Sequence, residues 1–379
     1  MFLIFLFLLI ITLTYLQKTG SSDTTWRKVE ENIYFEPLYN RELLPTAPME
    51  KFFRVHFREV LILKLGQRKL LFNELEFYNI CKQRTTKNIT VVYAGSAPGI
   101  HYYDANPFCE ELKKYSNMHL YNQYFEDKDA KYWFNAVSRG TKERYEKNYL
   151  IFLSDVRRAE DEGTVEQDMI MQQQWVEIMK PDACMLKFRL RWRPAGTMEY
   201  FDGKIYFQPR ISFSSTETRL IFFPQNDGTY KIKLWDNEQY NNQIFYYQRH
   251  HRNAFHEYNF FSDTSFSDSF SGNPEKTEKT DEFNILSKEI KGLCHCHDCW
   301  SEIAICKEFL KSNQIHEVIA LVLRIEKHTK STLNTAPHNM LVNERDINKK
   351  IRLLEKIAFQ NVDNIVKKIT DQNKPRKTF

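Results

Sequence analysis

Four charged residues stand where this chain could do acid–base chemistry. Asp155 follows the β-rich run Asn148-Tyr-Leu-Ile-Phe-Leu-Ser154, and Lys187 closes the strand-like Ala183–Phe188. Glu217 opens a further run, Thr218–Phe223, and Lys69 lies with Gln67 in a helix-spaced stretch ahead of a glycine turn. Taken singly, each is an ordinary solvated charge, because Lys, Asp and Glu are mostly exposed. Together they put two lysines and two carboxylates at one edge of a sheet, the edge where open α/β sheets bind ligands. Such a set can hold a lysine that gives up its proton readily, and a neutral amine deprotonates a hydroxyl.

The glycine turn is a second candidate. Tyr93-Ala-Gly95-Ser-Ala-Pro-Gly99 ends the β-branched run Asn88-Ile-Thr-Val-Val-Tyr-Ala94. Glycines at a strand end let a ligand approach the backbone, and a following helix N-terminus favours negative charge. The turn is neither a GxGxxG dinucleotide signature nor a lysine-bearing phosphate loop. A tight turn with no ligand is the other reading. A third candidate is Cys294-His-Cys296-His-Cys299 with Cys306, soft ligands at a spacing that suits zinc. Against it stands a reading as exposed reduced thiols at the approach to a helix.

The elements that must position these residues follow from hydrophobic periodicity. Residues 51–82 carry Val60, Leu63, Leu70, Leu71, Leu75 and Phe77 at helical spacing, and Glu166–Met179 repeats that pattern. Strands are expected at Asn88–Ala94, Asn148–Ser154, Ala183–Phe188, Lys204–Phe207 and Thr218–Phe223, with a short one at His119–Tyr121. Strands alternating with helices predict an α/β fold built from parallel βαβ units. Residues 262–283, rich in Ser, Asp, Lys and Thr, read as a linker. Beyond it, 284–327 and 344–370 are helical in pattern, the latter through Ile351, Leu354, Ile357, Val362 and Ile365, and Asn373–Phe379 is a basic tail.

Several of these stretches form an ordered set. Gly66-Gln-Arg-Lys69-Leu-Leu-Phe-Asn-Glu-Leu comes first, followed by Val91-Val-Tyr-Ala-Gly-Ser-Ala-Pro-Gly99 and Leu153-Ser-Asp-Val-Arg157. Leu186-Lys-Phe-Arg189 and Ser215-Thr-Glu-Thr-Arg-Leu220 complete it. In this the chain resembles the poxvirus-type cap-specific mRNA nucleoside-2′-O-methyltransferases, which in poxviruses also serve as the small, processivity-conferring subunit of the poly(A) polymerase. The resemblance spans roughly residues 30–250, and an ordered combination is far more specific than one short motif. It implies a large DNA virus as the source. The implied fold is a Rossmann-like S-adenosylmethionine-dependent methyltransferase sheet over residues 30–260, with a helical, Cys/His-containing, basic C-terminal extension over 284–379. The implied place of action is the host cytoplasm, at the viral factory, or the virion.

By motif match the family's Lys-Asp-Lys-Glu tetrad falls on Lys69, Asp155, Lys187 and Glu217. The resemblance makes Lys187 the base for a ribose 2′-hydroxyl, with Lys69 favouring its neutral form and with Asp155 and Glu217 fixing its position. Gln67, Tyr93, Gly95, Gly99 and Asp155 match cofactor-lining positions, and Asn122 stands where an acid usually holds the ribose, with Asp127 and Asp129 as the nearest carboxylates. For the cap, Phe35 and Trp192 match the aromatics that sandwich 7-methylguanine, an arrangement of cation–π type. Arg189 and Ser215 fall beside them. Pro194 stands where an Asp is expected, and Asn241-Asn242 where a Glu is expected. The implied partners are capped mRNA and the catalytic subunit of a viral poly(A) polymerase. Two further readings stay open, a non-catalytic RNA-binding subunit and a methyltransferase of internal RNA positions.

Composition sets the outer bounds. The chain has 379 residues, 42% hydrophobic and 27% charged, which excludes collagen-like and wholly disordered chains. Its 29 Phe and 20 Tyr supply a large core and stacking surfaces, and a net charge of +5 permits a polyanionic partner. Seven Cys, four of them crowded between 294 and 306, do not make a disulfide framework and read as reduced thiols. Met1–Leu16 is apolar, lacks a basic n-region and is slightly short of the ~20 residues that span a bilayer. The expectation for residues 1–20 is a membrane anchor with Lys18 on the cytoplasmic side. An upstream extension of the reading frame, or a helix buried in a partner, is the alternative.

Overall fold

A six-stranded mixed sheet sits between helices in the computed structural model, which describes residues 41–52, 66–95, 117, 119, 121, 123–138, 148–159, 161–192, 196–211, 215–249, 251–253, 260, 282–293 and 296–329. The strands are β1 (Glu42–Leu43), β2 (Ile89–Ala94), β3 (Tyr149–Ser154), β4 (Ala183–Phe188), β5 (Thr197–Phe201), β6 (Lys204–Tyr206), β7 (Thr218–Phe222) and β8 (Ile232–Asp236). The helices are α1 (Gly66–Arg84), α2 (Asp127–Ser138), α3 (Glu162–Met179), α4 (Asn237–Arg249), α5 (Glu282–Glu289), α6 (His297–Leu310) and α7 (Ile315–Thr329). The large sheet runs β1-β6-β7-β4-β3-β2, and β5 pairs with β8 apart from it.

The expectation of a parallel sheet holds for half of it. β2, β3 and β4 are parallel neighbours, but β7 pairs antiparallel with β4, β6 with β7, and β1 with β6. The cause lies in the connections. A parallel neighbour needs a crossover of a dozen or more residues, usually a helix. Such helices follow β2 and β3, whereas no helix falls between β4 and β8 among the described residues. The expected short strand at 119–121 is not one where it is described, at His119 and Tyr121. The calls on Phe35, Gly99, Asn122, Pro194, Cys294, residues 1–20 and the 344–370 helix lie outside the described residues, as does the linker over 262–281, while its last two residues, Glu282 and Phe283, already belong to α5.

Both faces of the sheet are covered, so β3, β4 and β7 read as nearly unbroken buried runs. On one face, Phe77 and Cys81 of α1 pack with Ile151, Leu153, Met185 and Ile221. On the other, Met169, Trp175 and Val176 of α3 and Trp133 of α2 pack with Phe152, Cys184 and Leu186. α3 starts where Asp161 accepts the Thr164 N–H at 2.9 Å, a side-chain N-cap. The C-terminal helices belong to the same body, for α6 and α7 pack on α1 and extend its core through Trp300, Ile303 and Val322. Among the described residues no helix is long and apolar enough to cross a membrane.

Candidate active site

The carboxyl edge of the parallel strands gathers the charges. β7 runs opposite to β4, so its beginning lies at that edge, and Glu217, just ahead of it, arrives beside Lys187. Lys187 Nζ lies 3.1 Å from Asp155 Oδ1 and 3.5 Å from Glu217 Oε2. Lys69 Nζ, from the first turn of α1, lies 3.7 Å from Glu217 Oε1. The four side chains keep 12–23% of their surface, enough for a substrate to reach them. The structure thus brings together the four residues that the motif match singled out.

Two arginines that sequence reasoning did not assign complete the set. Arg219, directly opposite Lys187 in the β4–β7 register and 1% exposed at its side chain, reaches Asp155 Oδ1 at 2.7 Å. Arg157 Nη2 stands 3.8 Å from Glu217 Oε2. Four cations therefore meet two carboxylates. Burial alone would raise the Glu217 pKa, but Lys187, then Lys69, Arg219 and Arg157, hold it well below the usual range. Asp155 follows the same balance, with burial overcome by Arg219 and Lys187. Burial lowers Lys69, against the pull of Glu217 and with help from Arg219 and Lys187.

Backbone geometry fixes these side chains. Gly95 has φ +78°, and a Cβ there would lie 2.9 Å from Val156 N and 3.0 Å from Asp155 C. The residue must be glycine for the β2 turn to lie against the segment that carries Asp155, which is also tied by its N–H to Ala94 O at 3.0 Å. Buried Gln172 of α3 donates to Lys187 O at 3.2 Å. Gln208 Nε2 donates to Glu217 O and to Oε1, both at 3.3 Å, and Ser215 Oγ accepts the Glu217 N–H at 3.2 Å. Asp168, fully buried, accepts from Arg158 N at 2.9 Å and from its Nε at 2.5 Å, clamping the turn after Asp155.

Near Asp155 lie buried polar atoms, Ser154 Oγ without a partner and the Tyr93 hydroxyl and Glu74 carboxyl, which interact with each other. Buried polar groups are nearly always hydrogen-bonded, so an unpartnered hydroxyl beside further polar groups at that edge suits a polar ligand. Burial pushes Glu74 up to about 8, with Tyr93 lowering it and Asp155 raising it, so its carboxyl is a proton donor near neutral pH. Gln67 lies in the first turn of α1, two residues before Lys69.

The expected cap residues are placed as follows. Arg189, 6% exposed, donates to Glu162 Oε1 at 3.0 Å, and its guanidinium lies 4.1 Å from the Trp192 ring centre. Trp192 donates through its backbone N to Glu162 Oε2 at 3.0 Å and through Nε1 to Thr216 Oγ1 at 2.8 Å. Phe52 stacks near the same ring, 6.2 Å between centres. Asn241 donates to Arg191 O and Asn237 O, and Asn242 Oδ1 accepts the Phe52 N–H, so both amides hold the backbone. Asp129 bonds Glu126 N and Gln123 Nε2 at the start of α2.

The zinc expectation is corrected for the described cysteines. No group of three or more His, Cys, Asp and Glu among the described residues is arranged to hold a metal ion. Cys299 and Cys306 both lie on α6, seven residues apart. That separation is about 10 Å of helix axis, while two thiolates on one zinc stand within about 5 Å of each other. Cys299 Sγ instead receives Arg210 Nη2 at 3.0 Å, burial raises the Cys306 thiol, and Cys296 occupies the N-cap position of α6.

The lysine–carboxylate constellation thus lies at the carboxyl edge of the parallel strands of a mixed α/β sheet, the edge where open α/β sheets bind ligands. The chain belongs to the family described as poly A polymerase regulatory subunit, which matches residues 55–271, more than half of its length. It is also similar to a protein of fowlpox virus (strain NVSL) named cap-specific mRNA (nucleoside-2′-O-)-methyltransferase, with 28% identity over 202 residues. That similarity covers 48% of this chain and 66% of the fowlpox protein, just under two thirds.

Proposed function

We propose that this protein transfers a methyl group from S-adenosylmethionine to the ribose 2′-hydroxyl of the first transcribed nucleotide of capped mRNA, on a Rossmann-like sheet. The observation that carries the reading is the Lys187 amine, held between Asp155 at 3.1 Å and Glu217 at 3.5 Å with Lys69 across from it. The fowlpox relative's name points the same way. The unpartnered Ser154 hydroxyl, the buried Tyr93 and Glu74 polar groups and the glycine-only approach at Gly95 fit the polar amino-acid and ribose parts of the cofactor. Bound there, the cofactor supplies an electrophilic methyl group. Lys187 Nζ would take the proton of the 2′-hydroxyl, whose oxygen would receive the methyl group that the cofactor supplies, leaving a neutral thioether. Asp155 and Glu217 hold the amine in place, and Lys69 stands on the far side of Glu217, 3.7 Å from its Oε1. Much of the rate comes from orientation, because the methyl donor needs in-line placement more than further activation.

The test is methyl transfer from labelled cofactor to matched RNAs that differ only in a 7-methylguanosine cap. Transfer to capped RNA alone supports the reading; equal transfer to both shifts the substrate to internal positions; transfer to neither refutes it. A second reading rests on the family description, an RNA-binding processivity subunit working with a catalytic poly(A) polymerase chain. The two roles are compatible, and the site of action proposed for both is the host cytoplasm or the virion.

A further inference from the structure

We propose that Glu302, on the C-terminal helix α6, is a positioning residue that sets the distance between Lys69 and Glu217. Its carboxylate is 1% exposed and grips two buried guanidiniums at once. Arg68 Nε and Nη2 donate to it at 2.8 and 2.7 Å, and Arg210 Nε and Nη2 at 3.1 and 3.3 Å. Each arm leads to the site. Arg68 is the residue before Lys69 in the first turn of α1 and is also 3.5 Å from Glu326 of α7. Arg210 lies two residues beyond Gln208, which donates to both the backbone and the side chain of Glu217. One carboxylate therefore staples together the two segments whose charges meet as the Lys69–Glu217 pair at 3.7 Å.

Two further observations support the staple. Arg210 sits at φ +61°, a left-handed conformation that non-glycine residues hold only when their surroundings fix it. Bidentate guanidinium–carboxylate pairs fix geometry as well as adding energy. Glu302 also lies beyond residue 271, where the family match ends, so part of the support for the site comes from outside the matched region.

This inference rests on the proposed methyl transfer, and its test separates the two. The full chain and its Glu302→Gln and Glu302→Asp variants are compared for kcat, cofactor affinity, the pH–rate profile and thermal unfolding. A shift of the paired charges by a few tenths of an ångström predicts a kcat about 10-fold lower in Glu302→Gln. The pH–rate profile should move as well, and cofactor affinity should stay within about 3-fold, because no cofactor-lining residue is altered. Glu302→Asp recovers part of the loss. Where Glu302→Gln does not fold, Arg68→Met with Arg210→Met, Glu302→Met and Glu326→Gln removes the four charges of the cluster together, so that none of them is left buried without its partner. That variant should unfold cooperatively and show the same fall in kcat. A variant that is folded at the assay temperature, with wild-type kcat and pH profile, overturns the inference. A wild-type chain that transfers no methyl group overturns the proposed function and this inference with it.

Discussion

Gly95→Ala should injure both fold and chemistry, and its size can be worked from the geometry. An L-residue at φ +78° pays a left-handed conformation of about 1–2 kcal/mol. The added Cβ would lie 2.9 Å from Val156 N, 3.0 Å from Asp155 C and 3.1 Å from Val156 Cα, all backbone atoms that cannot swing aside. Relieving them requires the 155–156 segment to move by about half an ångström, an over-packing of about 1–3 kcal/mol. The sum, about 2–5 kcal/mol, lowers the melting temperature by roughly 2–6 °C for a chain of 379 residues. The same displacement carries Asp155 away from Lys187 and Arg219, and misplacement by about 1 Å costs about 10²-fold, so a loss of about 10-fold in methyl transfer is expected. The assay is thermal unfolding followed by labelled methyl transfer well below the variant's transition. Gly196→Ala is the control, since nothing lies within 4 Å of its added Cβ and its φ is unexceptional. A Gly95→Ala chain that matches the Gly196→Ala chain in both measurements would refute the claim that this glycine sets the position of Asp155.

Lys187→Ala should cut turnover by about 10²–10⁴, the usual cost of losing a general base, while RNA affinity measured by filter retention stays close to wild type; near-normal turnover at saturating substrates would remove the base assignment. Lys69→Ala removes the cation 3.7 Å from Glu217 Oε1 and should lower turnover by about 10-fold through the loosened position of that carboxylate; unchanged turnover in a folded variant counts against a role for the pair. Glu74 has its pKa raised by burial to about 8 in the folded chain. Its contribution to stability is therefore full below the unfolded value and is lost as pH climbs toward 8, at up to about 1.4 kcal/mol per pH unit. Glu74→Gln should remove that dependence, so its melting temperature should gain on wild type between about pH 5 and 8, and parallel curves would contradict the assignment. Asp155 and Glu217 have lowered values, so their stabilisation is present above the ordinary carboxylate range and disappears in acid. Asp155→Asn should flatten the acid limb of the unfolding curve, and an unchanged limb would argue against that ion-pair balance.

The parallel half of the sheet was legible because its strands are apolar runs with abrupt ends. Ala183–Phe188 matches β4 to the residue, and β2 and β3 begin one residue later than expected. The antiparallel half was legible too, but through a signal that was passed over. No helical stretch separates Lys204–Phe207 from Thr218–Phe223, so those strands had no means of crossing over to run parallel. β5 and β8 escaped because the exposed Ile232, Lys233 and Leu234 and the partly exposed Thr197–Glu199 lack a sustained buried side. The tetrad could be placed by its motifs, whereas Arg219 could not be assigned from type alone. A charge inside Thr-Arg-Leu-Ile-Phe was the visible hint, since arginine is seldom fully buried without a partner. Its partner, Asp155, lies 64 residues away and comes into view only when β3, β4 and β7 are side by side. The link from Glu302 to the site had no sequence signature, because it depends on α6 settling against α1.

Lys187 and Arg219 face each other directly across β4 and β7, and like charges so opposed ordinarily push strands apart. Asp155 Oδ1, within reach of both at 3.1 and 2.7 Å, is what makes the pairing tolerable. Removing that carboxylate alone would leave two cations pressed together in a largely dry sheet, a fault of folding before it is a fault of turnover. The residues cannot be shed one at a time. A descendant that kept only an RNA-binding role would have to lose Asp155, Lys187 and Arg219 nearly together, or acquire a substitute anion first, so the intact trio would outlast the reaction it serves.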